Sequence, residues 1–244
     1  MPGSNRVVLL HPLGADSSFW KPVVRLLSEH REVVVLDLLG HGGAERPPPG
    51  ARIEQFADDV VRRVEGLGVV DLVGVSLGGL VAQVVALREG HRVGRLVLVD
   101  TVATYPEELR QGWRDRAATA RRTGLAPLAA AMETMWFSPA FRAAHPEEVS
   151  RAREVLLAMD PESYARTCEA LEVADTRQGV PRLGHPTLVV CGSQDGPAFV
   201  AAASWLADQI PGARIRWLAD ARHAAVLEQP VEFTAALTDF LAAA

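Results

Sequence analysis

The sequence predicts an α/β fold: a mostly parallel sheet of about six strands, interrupted once by a helical insertion. Two observations lead there. Short runs rich in valine and leucine recur between stretches whose apolar residues repeat at helical spacing. That alternation then stops between Thr101 and Arg182, where helices and loops are legible but no strand is.

The strand candidates, in order, are Arg6–Leu10, Glu32–Leu36, Val69–Val75, Arg95–Val99, Thr187–Cys191 and Arg214–Leu218. Most are apolar without alternation, as expected of parallel strands covered on both faces. Between the second and third, Ile53, Phe56, Val60, Val61, Val64 and Leu67 recur at helical spacing. Phe233, Ala236, Leu237 and Phe240 do the same after Pro230, a residue that suits a helix's first turn. Within the interruption, Pro106, Pro127, Pro139, Pro146 and Pro161 punctuate Ala- and Arg-rich segments. Glu147, Glu148 and Glu162 sit where helix first turns favour acids. The expected organisation is a core of residues 1–104 and 183–244, with a helical cap at 105–182. The first strand begins within six residues of the start, so the expected sheet lacks an antiparallel pair ahead of it. Right-handed crossovers then give the order 2-1-3-4-5-6, with Glu32–Leu36 at an edge. That strand is apolar with no guard residue inside it. A loop or a second subunit is therefore expected to cover it, which makes a homodimer possible.

Bulk properties exclude several classes. A net charge of −5 with ordinary residue classes argues against nucleic-acid binding and disorder. No apolar run reaches the ~18 residues a membrane span needs, so no membrane association is expected. The N-terminus lacks the pattern of a secretion signal. Cys168 and Cys191 form neither a disulfide framework nor a metal spacing, and a cytoplasmic protein is the expectation. Lys21 is the only lysine among 25 basic residues. Guanidinium groups suit anion recognition, although GC-rich coding bias is the plainer cause.

The chemistry-bearing motif is Gly74-Val75-Ser76-Leu77-Gly78-Gly79. A serine whose Oγ projects from the top of a sheet sits on a sharp strand-to-helix turn. Flanking side chains would collide there, so small residues are needed two before and two after. Glycine and serine are common enough for the pattern to arise by chance. Its position between the strand Val69–Val75 and the helix Leu80–Arg88 makes Ser76 the candidate nucleophile. The alternative is a glycine-rich packing turn.

A serine hydroxyl needs a base, and the base needs an acid to hold it. In such sheets the chain order is serine, acid, histidine. His91 and His185 fall at the opposite end of the sheet and His145 in the insertion. His223 follows the last strand and emerges at the top, so it is the candidate base. Asp195, in Cys191-Gly192-Ser193-Gln194-Asp195-Gly196, lies just past a strand's carboxyl end, where site residues belong. Asp100 also ends a strand and stands as the alternative acid. For the oxyanion, one backbone N–H is expected from Leu77. Another is expected from the loop His11-Pro12-Leu13-Gly14, where Pro12 has no N–H and Leu13 is the donor. His11 and His41 read as loop-shaping residues.

These motifs resemble α/β-hydrolases of the 3-oxoadipate enol-lactonase group, over nearly the whole chain from Leu10 to Leu241. The most specific likeness is in the insertion: Trp136-Phe137-Ser138-Pro139-Ala140-Phe141, then Pro146, Tyr164, Cys168 and Asp175, running into Pro186-Thr187-Leu188-Val189. His223 with Glu228-Gln229-Pro230 extends it. The resemblance implies a Ser76/Asp195/His223 triad beneath a helical cap, with no cofactor and no metal. The sequence departs from that group in three places: Leu39 replaces an arginine, Gly196-Pro197-Ala198 follows the acid, and two N-terminal strands are absent. Loops that would face a dicarboxylate-like lactone are therefore altered.

The expected function is hydrolysis of a lactone or small carboxylic ester, a small-molecule substrate, through an acyl-enzyme. Carbon–carbon bond hydrolysis or a biosynthetic cyclisation is the alternative chemistry on this fold, and a non-catalytic binding protein the alternative class. Trp136 is the expected substrate-facing aromatic, or else part of the cap core. Phe19, Trp20, Tyr164 and Cys168 are expected to pack.

Overall fold

A computed structural model describes residues 5–243. Six parallel strands form one sheet in the order β2-β1-β3-β4-β5-β6. They are β1 (Arg6–Leu10), β2 (Glu32–Leu36), β3 (Val70–Val75), β4 (Val93–Val99), β5 (Thr187–Gly192) and β6 (Arg214–Leu218). This is the expected order, and β2 lies at the expected edge. The central strands are buried throughout their upper halves, which is why their sequences show no alternation.

The β1–β2 crossover runs through α1 (Lys21–Leu27), and the β2–β3 crossover through α2 (Ile53–Val64) in the opposite direction. Right-handed connections therefore put these helices on opposite faces. Helix α3 (Leu77–Arg88) packs beside α2, and α9 (Pro197–Gln209) follows β5. After the short α10 (Ala225–Glu228), α11 (Pro230–Ala242) returns to pack against α1. Trp20 and Phe233 meet there with ring centroids 6.1 Å apart.

Between β4 and β5 the chain forms α4 (Glu107–Thr123), α5 (Ala126–Trp136), α6 (Pro139–Ala144), α7 (Pro146–Ala158) and α8 (Pro161–Glu172). The five prolines mark their starts: Pro106 is the N-cap of α4 and the others occupy first-turn positions. The ends of this excursion are tied together. Thr104 bridges Asp175, Thr176 N donates to Ala103 O, and buried Gln83 on α3 links Val102 O to the Thr176 hydroxyl. No helix among the described residues is long and apolar enough to cross a membrane.

Strand β3 starts one residue later and β5 ends one residue later than in the sequence reading, and two boundaries differ by more. Strand β4 starts at Val93, before Gly94, because Val70 pairs with Val93 across a register shift. Helix α3 starts at Leu77, so both glycines of the turn are helical. At the edges, Val33, Val34 and Val35 of β2 are half-buried. The opposite edge, β6, is more exposed, and Arg214 and Arg216 stand within it.

Candidate active site

Ser76 stands between β3 and α3 with φ 53° and ψ −110°, a conformation that non-glycine residues rarely adopt. Hydrogen bonds to its backbone hold it: Ser76 N donates to Val99 O, and Ser76 O accepts from Gly79 N, Leu80 N and the Thr101 hydroxyl. The flanking glycines are required by contact. A Cβ on Gly74 would lie 2.2 Å from Gly78 O, and one on Gly78 would lie 2.3 Å from Leu10 O. The turn is therefore built against the sheet as the sequence implies.

His223 bridges the other two residues. Its Nδ1–H donates to Asp195 Oδ2 at 2.9 Å, which leaves Nε2 to accept the Ser76 hydroxyl at 3.0 Å. All three side chains are buried. Burial alone would depress the His223 pKa. The charge and hydrogen bond of Asp195 outweigh it and hold the pKa above the ordinary histidine value. Phe199 lies over the imidazole, ring centroids 4.3 Å apart, and shields it from water.

Asp195 Oδ1 accepts from Gly196 N, so both carboxylate oxygens are engaged. Asp100 is also at this end of the sheet, with φ 44°, but its Oδ1 accepts from Gly192 N and no hydrogen bond joins it to His223. Burial and the neighbouring Asp195 charge hold the Asp100 carboxyl well above the usual carboxylate range. The structure thus sets the alternative acid behind the first one. Asp100, Cys191 and Asp195 bring three possible ligand atoms within 4.8 Å of one another. Asp195 is committed to His223 and Gly196, and burial pushes the Cys191 thiol away from thiolate, so the trio fits a packed support better than a cation cradle.

Among the described residues, no protein group accepts the N–H of Leu77 or Leu13. Leu77 is the first residue of α3, where N–H groups have no helical partner. Leu13 lines the same pocket as Ser76 and His223. His11 shapes that loop: its Nδ1–H donates to Pro12 O and its Nε2 accepts from Leu38 N. Burial lowers its pKa to about 4, so it is a neutral brace. His41, 4.9 Å from His11 between ring centroids, donates to Leu39 O and is likewise held neutral.

The pocket over Ser76 encloses about 740 Å³, counting its open mouth, and is walled mainly by α4, α5, Leu156 and Phe199. Trp136 lines it while also packing edge-on against Phe19. Phe19, Trp20 and Cys168 are buried. Tyr164, expected only to pack, lines the pocket as well.

Two residues were missed in the sequence. Glu228 accepts from Ser138 N, the Ser138 hydroxyl and Arg222 N, fastening the insertion to the loop that carries His223. Arg116 enters the pocket from α4. Leu109, Gly112, Trp113 and Arg116 fall on one helical stripe, the face of α4 that lines the pocket.

Comparison with known proteins agrees with this geometry. Residues 7–237 match the pattern described as the alpha/beta hydrolase family. The chain is 32% identical over 233 residues to 3-oxoadipate enol-lactonase 2 of Acinetobacter baylyi, covering 95% of this chain and 86% of that protein. The crystal structure of the enol-lactonase from Burkholderia xenovorans LB400 superposes with a TM-score of 0.93 at 35% identity, covering 98% of this chain and 92% of that one. A thermophilic esterase from Thermogutta terrifontis gives a TM-score of 0.91 at 30% identity, covering 97% and 89%.

Proposed function

The chain belongs to the alpha/beta hydrolase family, and from that premise we propose that it is a serine hydrolase opening a lactone or small carboxylic ester through an acyl-enzyme on Ser76. One observation carries the reading: a single imidazole bridges a serine hydroxyl and a buried carboxylate at the floor of an apolar pocket.

The steps follow from that arrangement. As the Ser76 Oγ attacks the carbonyl carbon, His223 Nε2 takes its proton, and Asp195 steadies the imidazolium. The free N–H groups of Leu77 and Leu13 receive the developing oxyanion. Collapse of the tetrahedral adduct expels the ester or ring oxygen, which takes the proton from His223. In a lactone the leaving oxygen stays attached to the acyl chain. A water, deprotonated by His223, then attacks the acyl carbon and releases Ser76. The helices between β4 and β5 act as a cap that sets the substrate's shape and limits water. The names of the relatives, a lactonase and an esterase, support the substrate class.

The test is a turnover screen of lactones, thioesters, aryl esters and vinylogous diketones, with a fluorophosphonate label. Lactone or ester hydrolysis, with label on Ser76 that Ser76→Ala abolishes, is the expected result. Cleavage of diketones with esters untouched would replace the reading with carbon–carbon bond hydrolysis. Ligand binding without turnover, unchanged in Ser76→Ala, would leave a binding protein.

A further inference from the structure

We propose that Trp136 sets the length of ester this pocket accepts. Its indole closes the space over Ser76 against a second cleft, which takes an uncharged alkyl chain once that side chain is cut back. This rests on the hydrolase reading above and deepens it.

The second cleft lies between residues 15–25 and helix α7 and encloses about 640 Å³, counting its open mouth. Among the described residues, Trp136 is the one that lines both it and the site pocket. Three chain segments pass from one space to the other within a few residues. Leu13 lines the site and Ala15 the cleft; Leu156 lines the site and Val155 the cleft; His223 lines the site and Leu227 the cleft. The two spaces are therefore neighbours with a thin wall between them, and the indole belongs to both sides of that wall.

The wall is packed. Trp136 is buried, edge-on to Phe19 with ring centroids 6.0 Å apart and to Phe137 at 6.1 Å, and Phe19 itself lines the cleft. A chain long enough to reach the indole has to displace that packing, and overpacking costs more than one buried methylene returns. The backbone is tied separately: Trp136 O accepts from Ala224 N, a bond that does not depend on the indole. Beyond the wall the chemistry suits hydrocarbon. Phe19, Pro22, Val155 and Leu227 are buried or half-buried there, while Lys21, Arg25, Glu148 and Arg151 are exposed at the rim. Arg151 is paired with Glu148 at 2.6 Å. Such a space gains from covering methylenes and offers a charged group nothing buried to pair with.

The experiment uses two pairs of neutral esters, each differing by four methylenes. Methyl butanoate and methyl octanoate extend the acyl side; propyl acetate and heptyl acetate extend the alcohol side. Binding is measured by calorimetry on Ser76→Ala and turnover on the proteins that keep Ser76. A methylene moved from water into apolar surroundings is worth about fourfold in affinity. In Ser76→Ala the longer ester should bind within about threefold of the shorter in both pairs. In Ser76→Ala/Trp136→Ala one pair should open to a ratio of about 10- to 100-fold, and that pair tells which side of the ester enters the cleft. Adding Ala152→Trp, which fills the cleft from α7, should return the ratio close to its starting value. Ala152→Trp alone should leave methyl butanoate turnover unchanged. Trp136→Leu, which keeps part of the packing on Phe19, serves if the alanine variant does not melt cooperatively. Ratios untouched by either Trp136 variant, or a gain that survives Ala152→Trp, would overturn the proposal. Chain-dependent binding without turnover of any ester would sink the hydrolase reading alone. Turnover with a length profile indifferent to Trp136 would sink the partition alone.

Discussion

The Glu228 carboxylate reaches back to Ser138, accepting its backbone N–H at 3.0 Å and its hydroxyl as well, while its other oxygen takes Arg222 N, the residue before His223. One side chain thus joins the cap to the loop of the proposed base. The Ala224 N to Trp136 O bond lies alongside it. Glu228→Ala leaves those donors without an acceptor, at about 1–3 kcal/mol for each one that water cannot reach. A lower melting temperature and a fall in kcat of about tenfold or more are expected, read by thermal denaturation and steady-state kinetics. Unchanged kcat would show that His223 is held without the clamp.

The two buried aspartates should separate cleanly. Asp195→Asn removes the acceptor of His223 Nδ1–H and should cost on the order of 10³- to 10⁴-fold in kcat. Asp100→Asn substitutes a neutral group for a carboxyl that burial and Asp195 already hold toward its protonated form, so turnover should stay within a few-fold of wild type. The reverse pattern would make Asp100 the acid.

The pH profile tests the same pair differently. His223 must be neutral to accept the Ser76 proton, so kcat/KM rises with pH through the His223 pKa. Asp195 holds that pKa above the ordinary value of about 6.5 against the effect of burial, so the acid limb should have its midpoint above it. Asp100→Asn should leave the limb in place. A clear downward move would mean that Asp100 is ionised in the wild type.

Much of the site was legible because strand ends and crossover handedness leave few positions for it. Valine runs located the strands, and the residues just past β3, β5 and β6 had to meet at one end of the sheet. That reasoning reached Ser76, Asp195 and His223 without contacts. It put Asp195 first and kept Asp100 as the alternative, since both follow strands and only side-chain direction separates them. The start of α3 was hidden by Gly78 and Gly79, whose poor helix propensity is overruled by packing on Leu10 and Thr101. Gly94 hid the start of β4 in the same way: its missing side chain makes room for Asp71. Arg116 and Glu228 depend on contacts between distant segments, which no local pattern records.

Gly78 and Gly112 should respond in opposite ways to alanine. At Gly78 the new Cβ would fall 2.3 Å from the Leu10 backbone oxygen, so β1 or the turn must move. Gly78→Ala should lose several kcal/mol or fail to fold. Gly112 lies inside α4 with nothing within 4 Å of the added carbon, so Gly112→Ala should gain up to about 1 kcal/mol from helix propensity. Chemical denaturation of both variants measures the difference, and equal losses would refute the contact argument.

Asp71, buried on β3, predicts a pH dependence of stability unrelated to catalysis. Burial raises its pKa to about 6, against the opposing charges of Arg95 and Arg31. In the unfolded chain the value is about 3.9. The folded protein therefore holds the proton more tightly, and its stability is fully present below about pH 4 and is lost as pH rises through about 6. Asparagine cannot ionise, so Asp71→Asn removes that loss. Its melting temperature should exceed that of the wild type at pH 8, with the gap closing toward pH 4. The gain should be on the order of 1 kcal/mol, below the roughly 3 kcal/mol that two pKa units represent, because water and two guanidinium groups screen part of it. A gap that widens on acidification would mean that Asp71 is stabilised as the carboxylate and that the charges of Arg31 and Arg95 outweigh its burial.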